Sequence, residues 1–281
     1  MLRIVTDGAV DMPAEWTKEF DINRIPINVH FGEKTYLQDV DLDLAGFYQL
    51  VDDKNSVFPK TSQPSPHQFV KFYRKIAQEG DTILSIHITS KLSGTYASAV
   101  AAAEEVKGVF NVIPVDTLGG TIGTGFMCRT ARQMDRAGKN ADEIVKYIES
   151  IRDKVSIILT LDTLDYARRS GRVGTLSAAL ASVLNVKPIA LLKDGLVDMV
   201  EKVRTRKAAL ERVLDLAEQS QGDQPIFLGV VHARDLASGQ ALMEKAKKRL
   251  NVKEVFLTDL SISLAINFGP GTLGLILYPA E

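Results

Sequence analysis

The chain of 281 residues has one cysteine, Cys128, and one tryptophan, and its 34 basic side chains meet 35 acidic ones for a formal charge of −1. A lone cysteine excludes an intramolecular disulfide. Its neighbours Gly125, Phe126 and Met127 describe a buried, inert thiol rather than a nucleophile. Balanced charge leaves no global field for nucleic acid or an anionic membrane, and the chain carries no helix-turn-helix pattern of a DNA-binding regulator. No apolar run approaches the ~20 residues of a membrane span, so no stable membrane insertion is expected. The opening Met1-Leu2-Arg3-Ile4-Val5-Thr6-Asp7 meets an acid too early for a signal peptide, which makes the cytoplasm the expected location.

Several chemistries are missing as well. No Gly-x-x-x-x-Gly-Lys-Ser/Thr loop exists, and the glycine-rich stretch from Gly119 to Gly125 fits neither that loop nor the dinucleotide fingerprint. The four histidines, His30, His67, His87 and His232, show no metal spacing, and neither Ser62 nor Ser93 lies in Gly-x-Ser-x-Gly. No cofactor is expected.

What is present is a globular composition, 45% apolar and 25% charged, at a length that suggests two domains. Strand-length apolar runs alternate with stretches of helical period, the pattern of a parallel sheet with crossover helices. The first half reads as a doubly wound unit. Its strands are Leu2 to Thr6, Arg24 to Phe31, Thr82 to Ile88 and Asn111 to Val115. Its helices are Pro13 to Phe20, Leu44 to Val51, Pro66 to Glu79, Ser93 to Val106, Thr121 to Ala137 and Ala141 to Asp153.

The second half reads as a mixed sheet. Strands Ser156 to Thr160, Pro188 to Leu192, Leu196 to Val203, Ile226 to Val231, Glu254 to Thr258 and Thr272 to Tyr278 accompany helices Leu176 to Leu184, Thr205 to Gln219 and Asp235 to Leu250. Lys193-Asp194-Gly195 reads as a hairpin turn, because Asp-Gly supplies positive backbone angles. The expected fold class is therefore α/β in two domains. Residues 1–155 would be three-layered with a mainly parallel sheet, and residues 156–281 two-layered with a mixed one.

Four segments could carry chemistry. In Pro59-Lys60-Thr61-Ser62-Gln63-Pro64-Ser65-Pro66, Ser65 with Gln68 forms a capping box and Pro66 occupies the first helical position. Ahead of that cap, Thr61 and Ser62 offer hydroxyls on a restrained loop, although an ST-turn accounts for them equally simply. After the strand ending at Ile88, Ser93-Gly94-Thr95 opens an alanine-rich helix. That start is either a plain N-cap or an anion site built from free N–H groups and the helix dipole. Asn267-Phe268-Gly269-Pro270-Gly271 is a rigid turn, and Arg168, Arg169 and Arg172, with Arg204, Arg206 and Lys207, are basic clusters suited to a phosphate, an acidic partner or plain solvation.

Taken in order, Thr6-Asp7, Asp11-Met12-Pro13, Lys60-Thr61-Ser62-Gln63-Pro64-Ser65, Ser93-Gly94-Thr95-Tyr96, Val115-Asp116-Thr117, Ser170-Gly171-Arg172, Lys187-Pro188-Ile189, Arg204-Thr205 and Gly269-Pro270-Gly271 make a pattern. The chain resembles the DegV family of bacterial fatty-acid-binding proteins over essentially its whole length. The resemblance implies a non-catalytic protein that holds one long-chain fatty acid such as palmitate, stearate or oleate, its carboxylate between the domains and its tail enclosed by the second. A separate ATP-dependent fatty acid kinase catalytic subunit would convert the bound acid to an acyl phosphate.

By that resemblance Thr61 or Ser62, with Ser93, Gly94 and Thr95, hold the carboxylate. Asn267 and Gly269 belong to the same ligand site, and Arg172 and Arg204 face the kinase. The chain departs from the family pattern at Gly8, where serine is usual, and at Asn267, where histidine is common. Asparagine carries no proton at neutral pH, so any role of that histidine in phosphoryl transfer or kinase engagement is altered here. The alternative is a small-substrate-binding subunit like that of dihydroxyacetone kinase, which holds its substrate through a histidine. His232 is the only histidine near a strand end in the second half.

Overall fold

In the computed structural model, which describes residues 1–172 and 186–280, the chain divides into two units. One is Met1–Arg152 with Ser261–Ser263, the other Asp153–Leu260 with Leu264–Glu281. The expected helix Leu176 to Leu184 lies outside the described residues.

In the first unit β1 (Leu2–Asp7) is followed by α1 (Ala14–Glu19) and β2 (Ile22–Ile25). The single strand expected from Arg24 to Phe31 is in fact two, in different sheets. Pro26 has no N–H for a ladder and restricts Ile25 before it, so pairing stops there. The chain resumes as β3 (Asn28–Phe31), which with β4 (Lys34–Leu37) and β5 (Lys60–Ser62) forms a small antiparallel sheet in the order β4-β3-β5. Gly32, at φ +62°, is the first residue of the two-residue loop joining β3 to β4, as a type II′ hairpin requires. Between β4 and β5 lies α2 (Leu44–Asp52), whose Phe47 ring sits 6.2 Å from that of Phe31.

The unit continues with α3 (Pro66–Ile76), β6 (Thr82–His87), α4 (Thr95–Glu105), β7 (Asn111–Asp116), α5 (Thr121–Arg136) and α6 (Ala141–Ile151). The main sheet is parallel, in the order β2-β1-β6-β7. Strand alternation sends Val5, Ile25 and Ile83 toward α3 and α4, where they join Phe69, Val70, Tyr73 and Ala99 in one core. Ile4, Leu84 and Ile86 point the other way, toward α5. The sheet order reverses between β1 and β6, the position at which open α/β sheets bind ligands outside their carboxyl ends.

The second unit holds β8 (Ser156–Thr160), α7 (Asp165–Ser170), β9 (Lys187–Lys193), β10 (Leu196–Val203), α8 (Arg206–Gln221), β11 (Ile226–His232), α9 (Leu236–Arg249), β12 (Val252–Asp259), α10 (Ile262–Phe268, which begins in the first unit) and β13 (Leu273–Pro279). Its mixed sheet runs β10-β9-β8-β13-β11-β12, with only β11 and β12 parallel. Asp194 and Gly195, at φ +49° and +79°, make the expected tight hairpin.

One face of this sheet is filled. Ile158, Leu228, Val230 and Leu275 pack with Val213, Leu214 and Ala217 of α8 and with Leu242 and Ala246 of α9. The register puts Ala190, Leu159, Gly274, Ile276, Gly229 and Val231 on the opposite face.

Candidate functional site

The segment read as a loop before Pro66 contains the three-residue strand β5, and this pairing decides what its hydroxyls can do. Adjacent strand residues point to opposite faces, so Thr61 and Ser62 are separated. Ser62 shares a face with Asn28 and His30, and its Oγ lies 2.9 Å from His30 Nε2, whose Nδ1 in turn lies 2.9 Å from Thr35 Oγ1. The Thr61 hydroxyl makes no hydrogen bond among the described residues. It is the donor left open.

Behind β5 the backbone is held at several points. Asn28 Nδ2 donates to the Gln63 carbonyl at 3.1 Å, and Gln68 Nε2 donates to Asn28 Oδ1 at 3.0 Å. The expected capping box is present, Gln68 N donating to Ser65 Oγ at 3.2 Å and Ser65 N to Gln68 Oε1 at 2.8 Å. The Gln63 side chain reaches the second predicted segment: a Cβ on Gly94 would stand 2.8 Å from Gln63 Nε2. The two loops adjoin. At the start of α4, Ser93 Oγ accepts from Thr95 N at 3.3 Å and lies 2.8 Å from Thr95 Oγ1. With Thr95 donating, the Ser93 proton is available to a ligand.

Beneath these loops runs a buried chain that sequence reasoning missed. Tyr73 Oη, Ser85 Oγ, His87 and Asp7 are linked in turn at 2.9, 2.7 and 2.8 Å, and all four residues are 0% exposed. Among the described residues Tyr73 has no hydrogen-bond partner other than Ser85, and a Tyr73 hydroxyl that donates to Ser85 leaves the Ser85 proton for His87 Nε2 and sets His87 Nδ1 to donate to Asp7. Asp7 Oδ1 also accepts from Ala9 N at 3.0 Å. The hydroxyl–imidazole–carboxylate order matches a hydrolase relay, but a nucleophile must touch its substrate and Ser85 has no surface. The network instead joins the carboxyl ends of β1 and β6 to α3. Its signal in the sequence was the spacing Ser85-x-His87 on one strand face.

Asp11 is a second buried acid. It accepts Ser261 N at 2.7 Å and the Thr121 hydroxyl, while Gln38 Oε1 accepts Ser263 N at 3.1 Å. These two side chains hold residues 261–263 to the first unit, 250 positions from Asp11 along the chain. Burial pushes the Asp11 carboxyl up to about 6, against the lowering effect of its bonds to Thr121 and Ser261 and of the charge on Arg24. Thr121, a β-branched residue, sits at φ +47°, a strained backbone held at its side chain by Asp11.

In the second unit the Asn267–Gly271 turn follows α10. Gly269 and Gly271 have φ +85° and +79°, and a Cβ would approach Tyr166 Cδ2 to 2.6 Å or Asp162 Cβ to 2.9 Å, so both positions require glycine. Gly271 N donates to Ala233 O at 2.7 Å, and Thr272 Oγ1 donates toward the Phe268 and Gly269 carbonyls at 3.0 and 2.9 Å. Asn267 is half-buried. Lys187 Nζ donates to the Asp162 carbonyl at 3.0 Å.

Arg172 turns back on its own helix end, Nη1 donating to Ser170 O at 2.6 Å, whereas Arg204 is exposed and without an ion pair among the described residues. His232 is 4% exposed, wedged against Gly239, with Nδ1 3.1 Å from Asp259 Oδ1. Among the described residues no cluster could hold a metal ion, and no helix is long and apolar enough to cross a membrane.

The fold and these loops define a two-unit α/β protein whose distinctive segments lie, in each unit, at strand and helix ends. A family profile described as "Uncharacterised protein, DegV family" matches residues 1–280, and the chain belongs to the DegV family. It is 30% identical to Protein DegV of Bacillus subtilis over 98% of each chain. A solved structure described as fatty acid binding of a DegV family protein from Thermus thermophilus superposes with a TM-score of 0.90, at 31% identity and covering 99% of both chains. A stearic acid-binding protein from Eubacterium ventriosum gives 0.89, at 26% identity and covering 99% of this chain and 98% of that one.

Proposed function

We propose that this protein binds one long-chain fatty acid and presents its carboxylate to a separate ATP-dependent kinase, which forms the acyl phosphate. The observation that carries the binding is the full-length likeness to the Thermus thermophilus protein described as fatty acid binding. The chemistry of this chain agrees. Each buried methylene contributes ~0.8 kcal/mol, so a tail of about fifteen carbons offers roughly 12 kcal/mol of gross transfer energy before the costs of association. The second unit's sheet has a face of small and apolar residues, among them Ala190, Gly229 and Ile276, whose chemistry suits a hydrocarbon.

The headgroup needs donors rather than a counter-charge. Thr61 supplies an uncommitted hydroxyl, Ser93 a second, and the start of α4 at Gly94 and Thr95 adds backbone N–H groups and the helix dipole. Ser62 serves indirectly, its oxygen engaged by His30. Neutral donors leave a carboxylate oxygen nucleophilic: it forms a bond to the γ-phosphorus of ATP on the kinase as the β–γ phosphoanhydride breaks and ADP leaves. Arg204, exposed and without an ion pair among the described residues, suits the kinase-facing surface better than Arg172, which caps its own helix.

The histidine-linked alternative finds no support, since His232 is packed against Gly239 and faces Asp259. Calorimetry tests the headgroup assignment. A hydrogen bond to a charged group is worth about 1.5–3 kcal/mol, so Thr61→Ala with Ser93→Ala should weaken palmitate binding at least a hundredfold, and Ser62→Ala far less. Unchanged affinity in the double variant would refute the assignment.

A further inference from the structure

The first unit has a pocket of about 430 Å³ beside the edge strand β2, a volume within the range of small-molecule sites. Its apolar walls are Ile22 and Ile25 from β2 and the partly buried Phe72 and Ile76 from α3. Arg24 stands among them. One guanidinium nitrogen, Nη2, is held at 3.3 and 3.2 Å by the Gly8 and Val10 carbonyls, which fixes the group in place. Its Nη1 carries no hydrogen bond among the described residues, and its Nε is a buried donor without a partner.

Buried donors are normally satisfied, so an oriented guanidinium with donors to spare is an unmet demand for an acceptor. Its one ion pair among the described residues, to Asp39, spans 3.5 Å with Asp39 48% exposed, a weak surface pair, while the buried Asp11 feels its charge without a hydrogen bond to it. Lys75, exposed and also without an ion pair among the described residues, lines the same pocket.

We propose that this pocket is a second binding site, for a small organic anion: a carboxylate or phosphate head on Arg24 with a short apolar or aromatic body against Phe72 and Ile76. A neutral or cationic ligand would leave the guanidinium unmet. The site is independent of the fatty-acid reading, because none of the residues assigned to that headgroup lines it.

The test uses the full chain saturated with palmitate, so that the long-chain site is filled, and follows methyl NMR signals of Ile22, Ile25 and Ile76 on titration with benzoate, phenyl phosphate and benzyl alcohol at millimolar concentration. Saturable shifts with one or both anions, and none with the alcohol, are expected; which anion binds tighter identifies the head. Arg24→Gln should weaken binding roughly tenfold, and Asp39→Asn should strengthen it severalfold by removing the competing carboxylate. Ile76→Trp, which fills the pocket without touching charge, should abolish it. Absence of saturable shifts with both anions, or shifts that persist unchanged in Ile76→Trp, would overturn the proposal.

Discussion

The two large sheets place their polar and apolar demands differently. The first unit's parallel sheet is packed by helices on both faces, and where its strands end it buries Asp7, His87 and Ser85 in one hydrogen-bonded network. The second unit's mixed sheet has one face filled by leucine, isoleucine and valine against α8 and α9, while the other carries Ala190, Gly229 and Gly274 across its middle. The first arrangement fixes loop geometry through hydrogen bonds, in which a buried donor or acceptor that loses its partner costs about 1–3 kcal/mol. The second fills one face with large side chains and sets small ones, Ala190 and Gly229, on the other. A headgroup needs the former and a tail needs the latter.

The contrast between the sheet faces predicts the largest effect. Leu228→Ala on the filled face should cost about 2–5 kcal/mol of stability by leaving a cavity, with palmitate affinity reduced only through folding. Gly229→Leu, one residue along and on the opposite face, should do the reverse: the fold survives in thermal denaturation while calorimetric binding of long acids is lost. Equal effects of the two substitutions on both readouts would remove the distinction between the faces.

A smaller effect follows from Asp11. Its carboxyl stands at about 6 in the fold, above the ordinary value of 3.8. The native state therefore holds the proton over a range where the unfolded chain has released it. Asp11 contributes its stability below about pH 4, and that contribution is lost as pH rises through about 6. Asp11→Asn should flatten this part of the stability–pH curve, measured by urea denaturation at intervals from pH 4 to 7. A curve with the wild-type slope would show that Asp11 does not titrate there.

Much of this was legible in the sequence because it is local. The capping box needs only Ser65, Pro66 and Gln68, and the hairpin only Asp194 and Gly195; both are where spacing put them. Pro26 was equally visible, but an apolar run on either side hid that it divides two sheets. Three-residue β5 has too short a period to announce itself, so Thr61 and Ser62 looked like equivalent loop hydroxyls until pairing with β3 set them on opposite faces. His30 joins Ser62 across 32 positions and His87 joins Asp7 across 80, contacts that only the folded chain creates. The return of Ser261–Ser263 to the first unit is longer range still.

The central claim, that this chain carries a fatty acid on hydroxyl donors with its tail enclosed, is tested most directly by native mass spectrometry of the protein purified from cells, followed by organic extraction. The expected spectrum shows one adduct per chain, released as a free acid of about sixteen to eighteen carbons and depleted in the Thr61→Ala, Ser93→Ala variant. Protein that emerges without an adduct and takes up none from added palmitate would contradict it.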